Sequence, residues 1–200
     1  MPDPITPTYT LVDATKTALT TGKRPERKCL ITVAAWGTPS GGVEANREIL
    51  GVRTEDSSIE FNLDSETITD ILGVTYTDLN KTEPQQDFDP FNITGGSALA
   101  QYLTDAALKN QISNYNQAFT IYIIAAFMYD STNTVYFAVK HEQCSIYPTS
   151  IGGDSYVGIP IEVHLSNKGK YGYVDKLDTT FAFTEQGDIG GSDNSSNAQG

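Results

Sequence analysis

The sequence predicts a mainly β protein with one α-helix packed on its sheet, and three observations predict it. The chain holds 11 Tyr and 8 Phe, and with its many Thr, Val and Ile these favour strands. Short runs alternate apolar and polar residues with a period of two, as in "SIEFNLD" over 58–64, the mark of a half-buried strand. One stretch alone, "SALAQYLTDAALKNQI" over 97–112, carries apolar residues at helical spacing.

The elements follow in order. Residues 1–24 read as an N-terminal arm, Pro-rich over its first seven positions. "KCLITVAAW", 28–36, is a β-rich run ended by "GTPSGG" at 37–42, and residues 37–56 mix Gly, Pro and charge without a period, so they read as a long loop. In 58–64, Ile59, Phe61 and Leu63 fall on one face and Glu60, Asn62 and Asp64 on the other. "SETITDILG", 65–73, predicts a short helix, because Ser65 can cap it and Gly73 can end it. Residues 80–90 are polar and Pro-broken, a strand leaving into a loop. Gly95 and Gly96 break the chain and Ser97 caps the main helix. Its core stripe is Leu99, Tyr102, Leu103 and Ala106, at i, i+3, i+4 and i+7.

Beyond the helix the pattern is sheet. "FTIYIIAAFMYD", 119–130, is apolar on both faces, which predicts a central strand covered on both sides. A turn at 130–133 leads to 134–140, and the run continues to Pro148. "IGGD" at 151–154 supplies two residues that accept positive φ and an Asp that can bond its own backbone, so it reads as a corner and not a site. The return over 155–166 sets Val157, Ile159, Ile161, Val163 and Leu165 on one face. "NKG" at 167–169 turns into a last strand near 171–184. Residues 185–200 hold almost no large apolar side chain and read as a disordered tail, since nothing there offsets the ordering entropy.

A chain of 200 residues buries roughly 70 % of its unfolded surface, so one β domain over 25–184 needs no staples. Net charge is −12, which argues against a protein that grips nucleic acid, because gripping needs Lys and Arg to displace phosphate counterions. Two cysteines, Cys29 and Cys144, are too few for a disulfide scaffold. Each sits in an apolar run and reads as a buried thiol, with a single bridge between them left open. The N-terminus shows no basic and apolar leader pattern. The longest apolar run, "IYIIAAFMY" at 121–129, is half what a membrane helix needs. A soluble protein of the cytoplasm is expected.

No constellation carries chemistry. The only histidines are His141 and His164. "GGDSYVG" lacks the spacing of a nucleophile elbow around Ser155. His141 and Cys144, with His164 across the predicted hairpin, could suggest zinc, but residues three apart on a strand point to opposite faces and no fourth ligand is evident. "GGS" before the helix lacks the rest of a phosphate loop. The acidic groups Asp64, Glu66 and Asp70, and Asp87 and Asp89, lack the calcium-loop spacing. No enzyme, cofactor or metal is expected.

The order of segments is more telling. "SSIEFNLDSETITDILGVTYTDLNKTEPQQDFDPFNITGGSALAQYLTDA", 57–106, and "CSIYPTSIGGDSYVGIPIEVHLSNKGKYGYVDK", 144–176, resemble the tail tube (major tail) proteins of phages and prophages of Gram-positive bacteria. The resemblance covers roughly residues 25–184. It implies a β-sandwich or partly open barrel with one packed helix. It implies homo-hexameric rings that stack into a tube with tape-measure and tail terminator proteins as partners, and phage DNA only in transit. The protein would belong to the virion tail and be assembled in the host cytoplasm. Under that resemblance Glu60, Asn62 and Asp64 face the lumen, and Gly41, Gly42, Glu44, Arg47 and Glu48 form an inter-ring loop. The rival is a β-sandwich carbohydrate- or protein-binding module, whose mark would be exposed aromatic residues beside carboxylates or amides. The one Trp, Trp36, stands at a strand end.

Overall fold

The computed structural model describes residues 5–37, 44–51, 57–69, 71–89 and 91–189, with backbone alone at 63–66, 68, 76–82 and 114. In chain order these form β1 (Thr10–Leu11), β2 (Leu30–Trp36), β3 (Asn46–Ile49), β4 (Ile59–Glu60), β5 (Leu63–Thr69), β6 (Thr75–Thr82) and β7 (Gln85–Phe88). Then come α1 (Ala98–Leu108), β8 (Phe119–Asp130), β9 (Val135–Pro148), β10 (Ile161–His164), β11 (Gly169–Val174) and β12 (Phe183–Asp188). The protein is mainly β, as its composition predicts. Ten strands share one open antiparallel sheet along the path β3-β2-β8-β9-β10-β7-β4, with β1 on β8 and β11 and β12 continuing from β9. Among the described residues β5 and β6 pair with each other, and they carry on the β4–β7 ladder in the same register, Glu60 opposite Gln85 and then Leu63 opposite Thr82.

β8 is central because both its faces are apolar. Phe119 and Ile121 enter one core, while Tyr122, Ile124 and Ala126 enter another. β9 joins the two wings of the sheet. Gln143, at φ 58°, sits where the β8–β9 register shifts. Before that bulge β9 pairs with β11, and after it with β10. A bulge bends its strand, so the two wings share a first core. Trp36, Phe119 and Ile121 meet Phe88, Ile161 and Val163 there, and α1 covers them with Leu99, Ala100, Leu103 and Ala106. The second core lies on the other face of β2, β8 and β9. It is covered by Val12 from the N-terminal segment and Phe181 from the stretch before β12.

Several expectations need correction. The helix predicted over 97–112 is α1, Ala98–Leu108, with Ser97 as N-cap bonding the Ala100 N–H; a 3-10 turn, Ile112–Tyr115, follows it. The short helix expected over 65–73 is instead strand β5, because β6 offers a ladder from Leu63–Thr82 to Thr69–Thr75. The alternating strand 58–64 is two residues long as β4, and Phe61 is 62 % exposed. The long loop 37–56 contains β3, which pairs along β2. The N-terminal arm is docked: β1 continues the β8 edge where β2 leaves it. The single last strand is a pair, and β12 extends into the expected tail through Asp188. Residues 190–200 lie outside the described residues. Val157, expected on the buried face, is 55 % exposed, while Ile159, Ile161, Val163 and Leu165 are buried. No helix among the described residues is long and apolar enough to cross a membrane.

Candidate assembly surfaces

Strand alternation builds an acidic outer face on β4, β7 and β10. The register sets Ile59 opposite Gln86 and Gln86 opposite Val163, and these residues point inward. Gln86 is buried and bonded there by Thr32 and Ser57. Their neighbours must then point outward. Glu60 is opposite Gln85, and Asp87 is opposite Glu162. Glu60, Asp87 and Asp89 line a shallow cleft of about 190 Å³ with Ser57, Ser58 and Gln85. Among the described residues β4 ends the sheet, so this face borders a sheet edge.

Of the three residues expected to face a lumen, Glu60 lies on this face and is exposed. Asn62 leaves the strand: it adopts φ 41°, and its side-chain amide donates to the Glu83 carbonyl at 3.1 Å. Asp64 has only its backbone described, in β5. Asp87, Asp89 and Glu162 were not singled out for this face by the sequence reading. The alternation in "QQDF" and "IEVH" carries the signal for Asp87 and Glu162, but it needs the β7–β10 pairing to become a surface.

Among the expected inter-ring residues, Gly41 and Gly42 lie outside the described residues. Glu44, Arg47 and Glu48 make their contacts inside the protomer. Arg47 pairs with Glu44 at 3.0 Å, each side chain 7 % exposed. The Arg47 guanidinium lies 4.3 Å from the Phe181 ring centroid and 5.1 Å from that of Tyr122, and it donates to the Phe181 carbonyl at 2.8 Å. The Tyr122 hydroxyl donates to Glu44 at 2.9 Å. Burial raises the Glu44 pKa, but bonds from its own backbone N–H, Arg47 and Tyr122 outweigh that and hold it below the usual range. Burial, then the Glu44 charge, pushes the Tyr122 pKa up. Glu48 accepts from the Ser97 hydroxyl at 2.5 Å and the Leu99 N–H at 3.0 Å. It thereby joins β3 to the first turn of α1, where a carboxylate suits the orphan N–H groups and the helix dipole.

On α1, Leu99, Leu103 and Ala106 are buried, and Tyr102 is 39 % exposed at the margin. Tyr102 stacks on Trp36, with ring centroids 6.3 Å apart, so the one Trp is part of the first core and not an exposed platform.

The "IGGD" stretch is a corner. Gly152 and Gly158 bond each other's backbones at 3.1 and 2.7 Å. A Cβ on Gly153, at φ 150°, would lie 2.1 Å from the Tyr156 carbonyl oxygen, so only glycine fits. Cys29 and Cys144 are free and buried, in separate cores. Burial pushes the Cys144 thiol up to about 11, which makes it inert at neutral pH. The described residues contain no group of three or more His, Cys, Asp or Glu that could hold a metal ion.

No protein-family model matches the chain, and no curated protein matches it. Solved structures do. One is a chain of the PVC sheath–tube complex, an extracellular contractile injection system in its extended state. It is 12 % identical with a TM-score of 0.38, over 68 % of this chain and 84 % of that one. Another is a chain of the anti-feeding prophage cap, described as a tube-terminating cap. It is 13 % identical with a TM-score of 0.41, over 76 % of this chain and 94 % of that one.

Proposed function

We propose that this chain is a tail tube protein, a structural subunit whose copies join head-to-tail into hexameric rings that stack into the tube of a phage or phage-like tail. The observation that carries the proposal is the acidic face of Glu60, Asp87 and Glu162 beside the β4 edge. A sheet edge offers unpaired backbone groups to a neighbour. Pairing edges in one rotational sense closes a ring, and the acidic face then repeats around it as a wall. Such a wall repels phosphates, with the field concentrated by the protein around it. DNA can pass through without being held, in line with the net charge of −12. The resemblance of 57–106 and 144–176 to tail tube proteins supports the same reading. It adds tape-measure and terminator proteins as partners, and assembly in a bacterial host cytoplasm into the virion tail. The role is structural and needs no catalytic residue, cofactor or metal.

The test is negative-stain microscopy and sedimentation of the concentrated full chain. Rings or tubes of uniform diameter are expected. A protein that stays monomeric across all concentrations and salts overturns the proposal.

A further inference from the structure

The mark of a saccharide site, an exposed aromatic ring beside a carboxylate or an amide, is missing at Trp36 but present elsewhere. The corner between β9 and β10 carries Tyr156, at 85 % exposure the most exposed aromatic side chain among the described residues. The chain around it is braced. The Thr149 N–H donates to the Pro160 carbonyl at 2.9 Å, and Gly152 and Gly158 close a neck between them. The Ile159 N–H donates to the Phe91 carbonyl at 2.9 Å, and Asn92 bridges to Gly158, so the corner is tied to the stretch that follows β7. The corner glycines bind nothing themselves. Their close backbone approach fixes the loop that holds the ring out.

A cleft of about 360 Å³ lies where the two segments meet, at the small end of the range for small-molecule sites. Asp89 and Asn92 line it from the stretch after β7, and Ser150 and Tyr156 line it from the corner. Each group has a counterpart on a sugar. The face of the Tyr ring is electron-rich and suits the C–H face of a pyranose. Asp89 accepts from hydroxyls, while Asn92 and Ser150 both donate and accept. Tyr offers its contact area at the cost of two torsions only. The net charge of −12 and the exposed carboxylates of Asp89 and Asp154 repel phosphorylated and carboxylated ligands. That disfavours nucleotides and acidic sugars.

We infer that the β9–β10 corner and the stretch after β7 form a binding site for an uncharged saccharide, with Tyr156 as the stacking platform and Asp89 and Asn92 as the hydrogen-bonding groups. The register places the ends of β7 and β9 and the start of β10 side by side, so the site lies at one end of this wing and uses no sheet edge. The inference goes beyond the tube reading and does not depend on it.

Saturation-transfer NMR on the full chain tests it, with maltotriose, cellotriose and tri-N-acetylchitotriose as probes. At least one probe is expected to give a saturable signal. Tyr156→Ala should weaken that binding about tenfold or more, the effect of losing one stacked aromatic ring, while Tyr156→Phe keeps it. Asp89→Asn should weaken it too, because a charge-assisted acceptor is lost. Both positions are exposed, and unchanged circular dichroism confirms folding. Negative-stain microscopy of the same samples reads assembly. No saturable signal from any probe overturns the inference, and so does a signal that Tyr156→Ala leaves unchanged. Loss of rings or tubes in Tyr156→Ala, with no saccharide signal in the wild type, makes the corner a subunit contact; it overturns the inference and leaves the tube reading standing. A Tyr156-dependent signal in a chain that never assembles supports the site and overturns the tube reading.

Discussion

Arg47 and Glu44 are a buried ion pair whose partners come from distant parts of the chain: Tyr122 on β8 and the backbone and ring of Phe181. Removing one member of such a pair leaves an uncompensated charge. Arg47→Met is therefore expected to cost about 3–5 kcal/mol, read as a lowered denaturant midpoint. The double variant Glu44→Gln with Arg47→Met should recover a large part of that loss, because no charge is then left buried. His141 gives a pH dependence. Burial depresses its pKa below 6.5, opposed by the bond between its Nδ1 and the Ser166 carbonyl. The folded site thus resists a proton that the unfolded chain accepts. The contribution of this histidine is complete above its unfolded pKa and is lost as pH falls through 6.5 toward the lower folded value. Melting temperature should fall from about pH 7 to about pH 5 more steeply in the wild type than in His141→Gln. Parallel curves would remove His141 as the cause.

At the scale of elements, α1 depends on its buried stripe and on a cap borrowed from β3. Leu103 is fully buried, so Leu103→Asp should cost more than about 3 kcal/mol by burying an unpaired charge and leaving packing unfilled. A soluble variant that melts within a degree or two of wild type would contradict this. β12 is the other informative element. A chain cut after Thr184 loses Glu185–Asp188, their ladder to β11, and the Lys170–Asp188 contact at 2.7 Å. A chain cut after Ile189 keeps them. The shorter form should melt about 3 °C or more below the longer, the shift that roughly 1 kcal/mol produces in a domain of this size. Equal melting would mean that β12 adds nothing to the protomer.

At the scale of the whole molecule, the acidic face has meaning only if it repeats. Glu60→Cys probes it without disturbing Asn62, whose left-handed backbone disfavours Cys. In free protomers the thiol should react with a bulky maleimide. In capped or tape-filled tubes it should be shielded. Equal labelling in both states would put the face on the outside of the assembly and assign the lumen to other strands.

Local sequence determined what depends on neighbours in the chain. Gly95, Gly96 and Ser97 start the helix, and Leu99, Leu103 and Ala106 mark its buried side. The double-faced run 119–130 fixes a central strand, and "IGGD" fixes a corner, because capping, periodicity and positive φ are properties of a few consecutive residues. Tertiary structure decided the rest. Residues 65–69 carry both a plausible helix cap and β-branched Thr67, Ile68 and Thr69, and the partner strand at 75–82 settles the competition by supplying a ladder. Glu44, Arg47 and Glu48 read as loop charges because charge alone predicts solvent. They are drawn inward by Tyr122 and Phe181, 78 and 134 residues away from Glu44 and Arg47, and by the start of α1 at Ser97. Asp87 and Glu162 become one acidic surface only through the β7–β10 register, since a cross-strand neighbour is invisible until the sheet forms.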